Sequence, residues 1–176
     1  MIYLIGSLRN PEIPKTANRL REAGLEVFDD WYSAGPDADD CWRDYEKARG
    51  HNFSTALQGH AAKNVYQFDR GHLDRCKAAV LLLPAGKSGH LELGYVIGTG
   101  RPGYILLEKA DPDRFDVMYQ FATNVFENVE ELIDELKSSA GQFLQVCDKA
   151  IWIRHDPNGP VVRCDCSVCK RGRGGY

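Results

Sequence analysis

At 176 residues the chain suits one domain plus a small appendage, and it is long enough to bury a substantial core. Hydrophobic residues make up 43% and charged residues 27%, which is ordinary for a soluble globular protein. The formal net charge of −3 gives no long-range pull towards a nucleic-acid polymer or an anionic membrane, so an anionic ligand has to be held by a local site. No apolar run approaches membrane-spanning length, and the first residues lack a charged stretch followed by a long apolar one; a cytoplasmic protein with no membrane partner is expected.

Residues 2–5 form a compact apolar run, expected as a buried first strand that leads into the loop Gly6-Ser7-Leu8-Arg9-Asn10. A helix is expected from about Pro11, with proline in its first turn, Ile13, Ala17, Leu20 and Ala23 on its apolar face, and Gly24 as its stop. Residues 25–28 read as a second strand, opening into a loop rich in aromatics and acids that carries Asp30, Trp31 and Tyr32. From about 39 to 73 the chain is polar and helical, with Trp42, Tyr45, Phe53, Leu57, Tyr66 and Phe68 as candidate contacts.

Residues 78–83 are continuously apolar with no alternation, as expected for a central parallel strand covered on both faces. A loop follows, then a helix expected over 90–98. A fourth strand is expected over 103–107, a short fifth over 124–126, and a closing helix over 129–136. This alternation is the signature of an α/β sheet protein, and ligands of such sheets bind at the carboxyl ends of the strands. The loops carrying Ser7, Trp31, Ser88 and Asn124 are all expected there. Residues 1–140 are expected to form the domain, and 141–176 a Cys-rich appendage.

The strongest local signal is Ser88-Gly89-His90-Leu91-Glu92-Leu93-Gly94-Tyr95. Ser88 suits a helix N-cap, and Glu92 one turn into the helix suits a carboxylate that attacks an anomeric carbon in retaining glycosyl transfer. A glutamate there also simply complements the helix dipole. Gly6, Ser7 and Arg9 suit an anion at a helix N-terminus. The pattern is neither a dinucleotide fingerprint nor a Walker loop. Asp69 is expected either to pair with Glu92 as a second carboxylate or to cap a helix over 70–77. Trp31 and Trp42 suit base stacking or core packing equally, and Asp30, Asp39 or Asp40 suit recognition of base edges.

Tyr3 to Arg9, then Asp69, then the apolar strand, then Glu92-Leu93-Gly94-Tyr95, resembles the nucleoside 2-deoxyribosyltransferase family, which includes the deoxynucleoside 5′-monophosphate N-glycosidases. The resemblance covers roughly residues 1–137. It implies a doubly wound, mostly parallel five-stranded sheet of Rossmann or flavodoxin-like type, a homodimer or larger assembly with shared active sites, and no cofactor for catalysis. By resemblance Glu92 is the nucleophile, Asp69 positions substrate and shuttles the proton to the departing base, and Tyr3 hydrogen-bonds near the nucleophile. Asn124 reaches the neighbouring subunit's sugar, and Ser7, Arg9 and Ser88 contact a 5′-phosphate. Gly86 stands where the transferases carry an aspartate, and the loop before Glu92 is shorter than theirs. With Arg9, this points to a monophosphate substrate, while Asn124 points to a free nucleoside.

The end of the chain carries Cys147, Cys164, Cys166 and Cys169 around an expected hairpin. Four thiolates there suit either a structural zinc or uncoordinated thiols. Two other readings of the whole chain stand beside the glycosidase: an NAD-cleaving enzyme of the Toll/interleukin-receptor type, and a non-catalytic nucleotide-binding module.

Overall fold

The computed structural model describes residues 1–108 and 116–143, with side chains to residue 139. Within it, Met1–Glu135 forms one compact unit. Five strands, β1 (Ile2–Ile5), β2 (Val27–Phe28), β3 (Ala78–Leu82), β4 (Gly103–Leu106) and β5 (Asn124–Phe126), make one sheet in the order β2-β1-β3-β4-β5. Every pairing in it is parallel. The helices are α1 (Ile13–Glu22), α2 (Ala38–Ala48), α3 (Phe53–Leu57), α4 (His60–Arg75), α5 (Lys87–Gly98) and α6 (Val129–Phe143). Two short 3-10 helices, Asp30–Ala34 and Val117–Phe121, follow β2 and precede β5. The chain is an α/β protein with the doubly wound topology expected of it.

The apolar runs that announced the strands are apolar because both faces are covered. Tyr3 and Ile5 of β1, Ala79 and Leu81 of β3 and Ile105 of β4 share one core with Leu73 of α4 and Leu93 and Val96 of α5. The alternate residues Leu4, Val80, Leu82, Tyr104 and Leu106 point to the other face and are buried as completely. Ile13, Ala17 and Leu20 of α1 and Val129 and Leu132 of α6 supply the buried apolar partners there. The Tyr104 hydroxyl reaches Glu135 Oε1 of α6 at 3.4 Å. Gly24, at φ +87°, ends α1 in a left-handed turn that a side chain would resist. Gly89 lets α5 lie directly on the sheet, because a Cβ there would come within 3.0 Å of both Ile5 Cγ2 and Leu81 Cδ1.

Several local expectations are corrected. Between β2 and β3 lie a 3-10 helix and three α-helices, and α4 continues through Asp69, so Asp69 lies deep in a helix and no helix begins at 70. It caps nothing. Helix α5 begins at Lys87 with Gly86 as its N-cap, so Ser88 lies in the first turn and Glu92 in the second. Asn124 opens β5 and pairs in register with Tyr104. It therefore lies at the amino end of its strand, away from the loops of Ser7, Trp31 and Ser88. No helix among the described residues is long and apolar enough to cross a membrane.

Candidate active site

The strand order reverses between β1 and β3: the chain runs from β1 outwards to β2, then returns and proceeds from β3 to β4. At such a switch point the loops after two neighbouring strands leave in opposite directions and open a crevice. A cavity of about 1080 Å³ occupies this end of the sheet. Its floor is Tyr3 with the β1–α1 loop, one wall is Gly86, Ser88 and Glu92, and the opposite wall comes from the 3-10 helix after β2 and from α2, α3 and α4. Asn10 ties the two central loops together. Its Nδ2 donates to the Pro84 carbonyl at 3.4 Å and its Oδ1 accepts from the Glu12 amide at 3.1 Å.

Two carboxyl groups from distant parts of the sequence face this cavity. Asp69 comes from α4 and Glu92 from α5, and Tyr3 stands with them on β1. The Tyr3 hydroxyl donates to Asp69 Oδ1 at 3.4 Å. Phe68 and His72, which flank Asp69 on α4, belong to an aromatic stack, with Phe28 and His72 almost parallel at 3.8 Å and Tyr3 and Phe68 tilted against Phe28.

The electrostatics record the same enclosure. Burial first, and then the charge on Asp69, push the Glu92 carboxyl up to about 7. Burial also raises Asp69 above the ordinary carboxylate range, against the hydrogen bond from Tyr3 and the charge on His72, which lower it. Burial and the two carboxylates hold the Tyr3 hydroxyl far above its usual value, so it remains a donor. A glutamate placed only to complement a helix dipole would be shifted downwards. Glu92 is shifted the other way, as expected of two like charges sharing a partly dry site. As pH falls below about 7 the pair therefore takes up a proton that ordinary carboxylates would have released.

The two helices that carry the acids are fastened to each other. The Tyr95 hydroxyl donates to Asp74 Oδ1, and Arg70 Nε donates to the same oxygen at 2.9 Å. The Arg70 guanidinium lies 4.1 Å from the centre of the Tyr95 ring. Tyr95 is one turn beyond Glu92, while Arg70 adjoins Asp69, so this clamp helps fix the spacing of the carboxyl groups. Sequence reasoning missed it, although the i, i+4 spacing of Arg70 and Asp74 was a usable signal.

The other expected residues divide. Gly6, Ser7, Arg9, Trp31 and Ser88 all line the cavity. Ser7 Oγ accepts from the Arg9 amide at 3.2 Å, which shapes the loop. Trp31 is tied to the sheet, its Nε1 donating to the Leu4 carbonyl at 2.8 Å, and it also lines the cavity. Trp42 lines the wall with its Nε1 buried and without a hydrogen-bond partner. Asp30 and Asp39 line the cavity as well. Asp40 instead binds Arg9 NH2 at 2.8 Å and Arg43 NH1 at 2.5 Å. Asn124 is exposed, its Oδ1 accepts from the Val125 amide at 2.9 Å, and it has no place on the cavity wall.

Cys147, Cys164, Cys166 and Cys169 lie outside the described residues. Among the described residues no three His, Cys, Asp or Glu side chains converge as a metal site. No protein-family model matches the chain, and no curated protein sequence matches it.

Proposed function

We propose that the protein cleaves or transfers the N-glycosidic bond of a (deoxy)nucleoside or its 5′-monophosphate through a covalent glycosyl-Glu92 intermediate. The observation that carries this reading is the proximity of Asp69 and Glu92 in one cavity, strong enough that Asp69 raises the Glu92 titration. A retaining glycosyl transfer needs one carboxylate to attack and one acid to protonate the leaving group. With one proton on the pair, the productive arrangement has Glu92 ionised and the proton on Asp69. Glu92 attacks C1′, the C1′–N bond breaks with its electron pair leaving on the base, and Asp69 supplies the proton. Water or a second base then attacks C1′ of the glycosyl ester, releases Glu92 and returns a proton to Asp69.

The aromatic wall offers faces for a planar base, and Asp30 and Asp39 offer acceptors for its edge. Tyr3 holds Asp69 in place. The assembly proposed is a homo-oligomer. Leu91, Val117 and Phe121 are exposed at 76%, 73% and 70%, apolar side chains that a neighbouring subunit could cover. In such an assembly Asn124 would serve a neighbouring cavity. Native mass measurement tests the oligomer, and metal content of the purified protein tests a structural zinc on the four terminal cysteines.

The activity test is direct. A panel of nucleosides and 5′-monophosphates is incubated with wild type and with Glu92→Ala, and free base is measured. Base release by wild type alone supports the reading. No release from any substrate, or equal release by the variant, removes it.

A further inference from the structure

Arg9 is the one cationic side chain among the described residues on the cavity wall, against four acidic ones: Asp30, Asp39, Asp69 and Glu92. It is the natural counter-charge for a substrate phosphate, yet its NH2 is engaged by Asp40 Oδ2 at 2.8 Å. Asp40 is not part of the cavity wall. It stands in the first turn of α2, and its other oxygen holds Arg43 NH1 at 2.5 Å.

We infer that Asp40 is a specificity-determining residue that sets the cavity against a 5′-phosphate by competing for Arg9, and so favours the unphosphorylated nucleoside. The inference rests on the glycosidase reading and narrows its substrate class. A phosphoryl group drawn to Arg9 gains one cation but also comes close to the Asp40 carboxylate. In water-like surroundings, a carboxylate about 5 Å from a phosphate with nearly two charges weakens binding about tenfold. The ion pair does little to resist displacement, because both partners are largely exposed, at 58% and 42%. Repulsion between Asp40 and the phosphate decides the preference. A 5′-hydroxyl meets no such penalty, since it accepts from Arg9 or donates to a carboxylate without a net charge.

The experiment compares deoxyadenosine with its 5′-monophosphate, by calorimetric binding and by kcat/KM for base release, in wild type, Asp40→Asn and the double variant Arg9→Ala/Asp40→Asn. Asparagine keeps the shape and one acceptor oxygen, for either Arg9 or Arg43, while removing the charge. Asp40→Asn is expected to raise the preference for monophosphate over nucleoside about tenfold, with nucleoside binding unchanged and the gain lost in the double variant. An unchanged preference overturns the inference. So does a lowered one, which would mean that Asp40 holds Arg9 in place for phosphate. Binding of neither ligand to wild type or to Asp40→Asn overturns it as well. Calorimetry reads the preference without turnover, so a protein that shows the shift but releases no base removes the proposed function and leaves the role of Asp40 standing.

Discussion

Glu92→Gln should stabilise the protein, and only at high pH. The Glu92 carboxyl rises from an ordinary 4.5 to about 7 on folding. Between those values the native chain keeps a proton that the unfolded chain has released, so this group lowers stability as pH rises through that window. Below about pH 4.5 both states are protonated and the contribution vanishes; above about 7 the penalty is complete. The full shift corresponds to about 3 kcal/mol, and screening at the partly open cavity reduces it to about 1–2 kcal/mol. Glutamine has the same shape and cannot ionise. Urea unfolding should therefore show Glu92→Gln more stable than wild type by about 1–2 kcal/mol at pH 8, a melting shift of roughly 2–8 °C for a chain of this size, and equal to it near pH 4.5. A difference independent of pH, or a variant less stable at pH 8, would refute the claim that the site keeps Glu92 poorly solvated beside Asp69.

Four further outcomes are expected, three at the carboxyl pair and its clamp and one at the buried Glu46 of α2. For wild type, kcat/KM should be bell-shaped in pH, rising as the pair loses its first proton above the ordinary aspartate range and falling near 7 as it loses the second. Asp69→Asn leaves one carboxyl, so only a rising limb should remain, its midpoint below 7 and its plateau lower by about 10²–10⁴; a retained bell contradicts the pairing. Tyr95→Phe removes the hydroxyl that joins α5 to Asp74 and should lower kcat about tenfold, with KM little changed and about 1 kcal/mol lost in urea unfolding; wild-type kcat in a destabilised variant contradicts a positioning role. Glu46→Ala should cost about 2–3 kcal/mol in the same assay, because Glu46 is only 2% exposed and binds His51 Nδ1 at 2.6 Å; a loss under about 0.5 kcal/mol contradicts that.

The strands were legible because parallel strands covered on both faces must be continuously apolar, and residues 78–83 satisfy that condition without interruption. The junctions were less legible. Strand β2 is two residues long, where the sequence pointed to four: its register with β1 begins at Val27, and the Leu25 amide is still bonded back to Leu20 of α1. Asp69 looked like a cap because aspartate is a frequent one, but α4 runs through it, and its half-buried place beside Tyr3 is a neighbourhood that no local pattern encodes. Ser88 was a plausible N-cap, yet helix α5 starts at Lys87, one residue earlier. Asn124 was grouped with the site loops although it opens the expected fifth strand; the register with Tyr104 places it at the amino end of that strand. Arg9 was read as free for an anion, since sequence spacing carries no information on a partner 31 residues away.

The decisive measurement is peptide mapping by mass spectrometry of protein quenched in acid during turnover of a deoxynucleoside. The account predicts one added deoxyribosyl mass on the peptide that contains Glu92, absent from Glu92→Gln. Rapid base release with no sugar on that peptide, or with the sugar attached elsewhere, would contradict it.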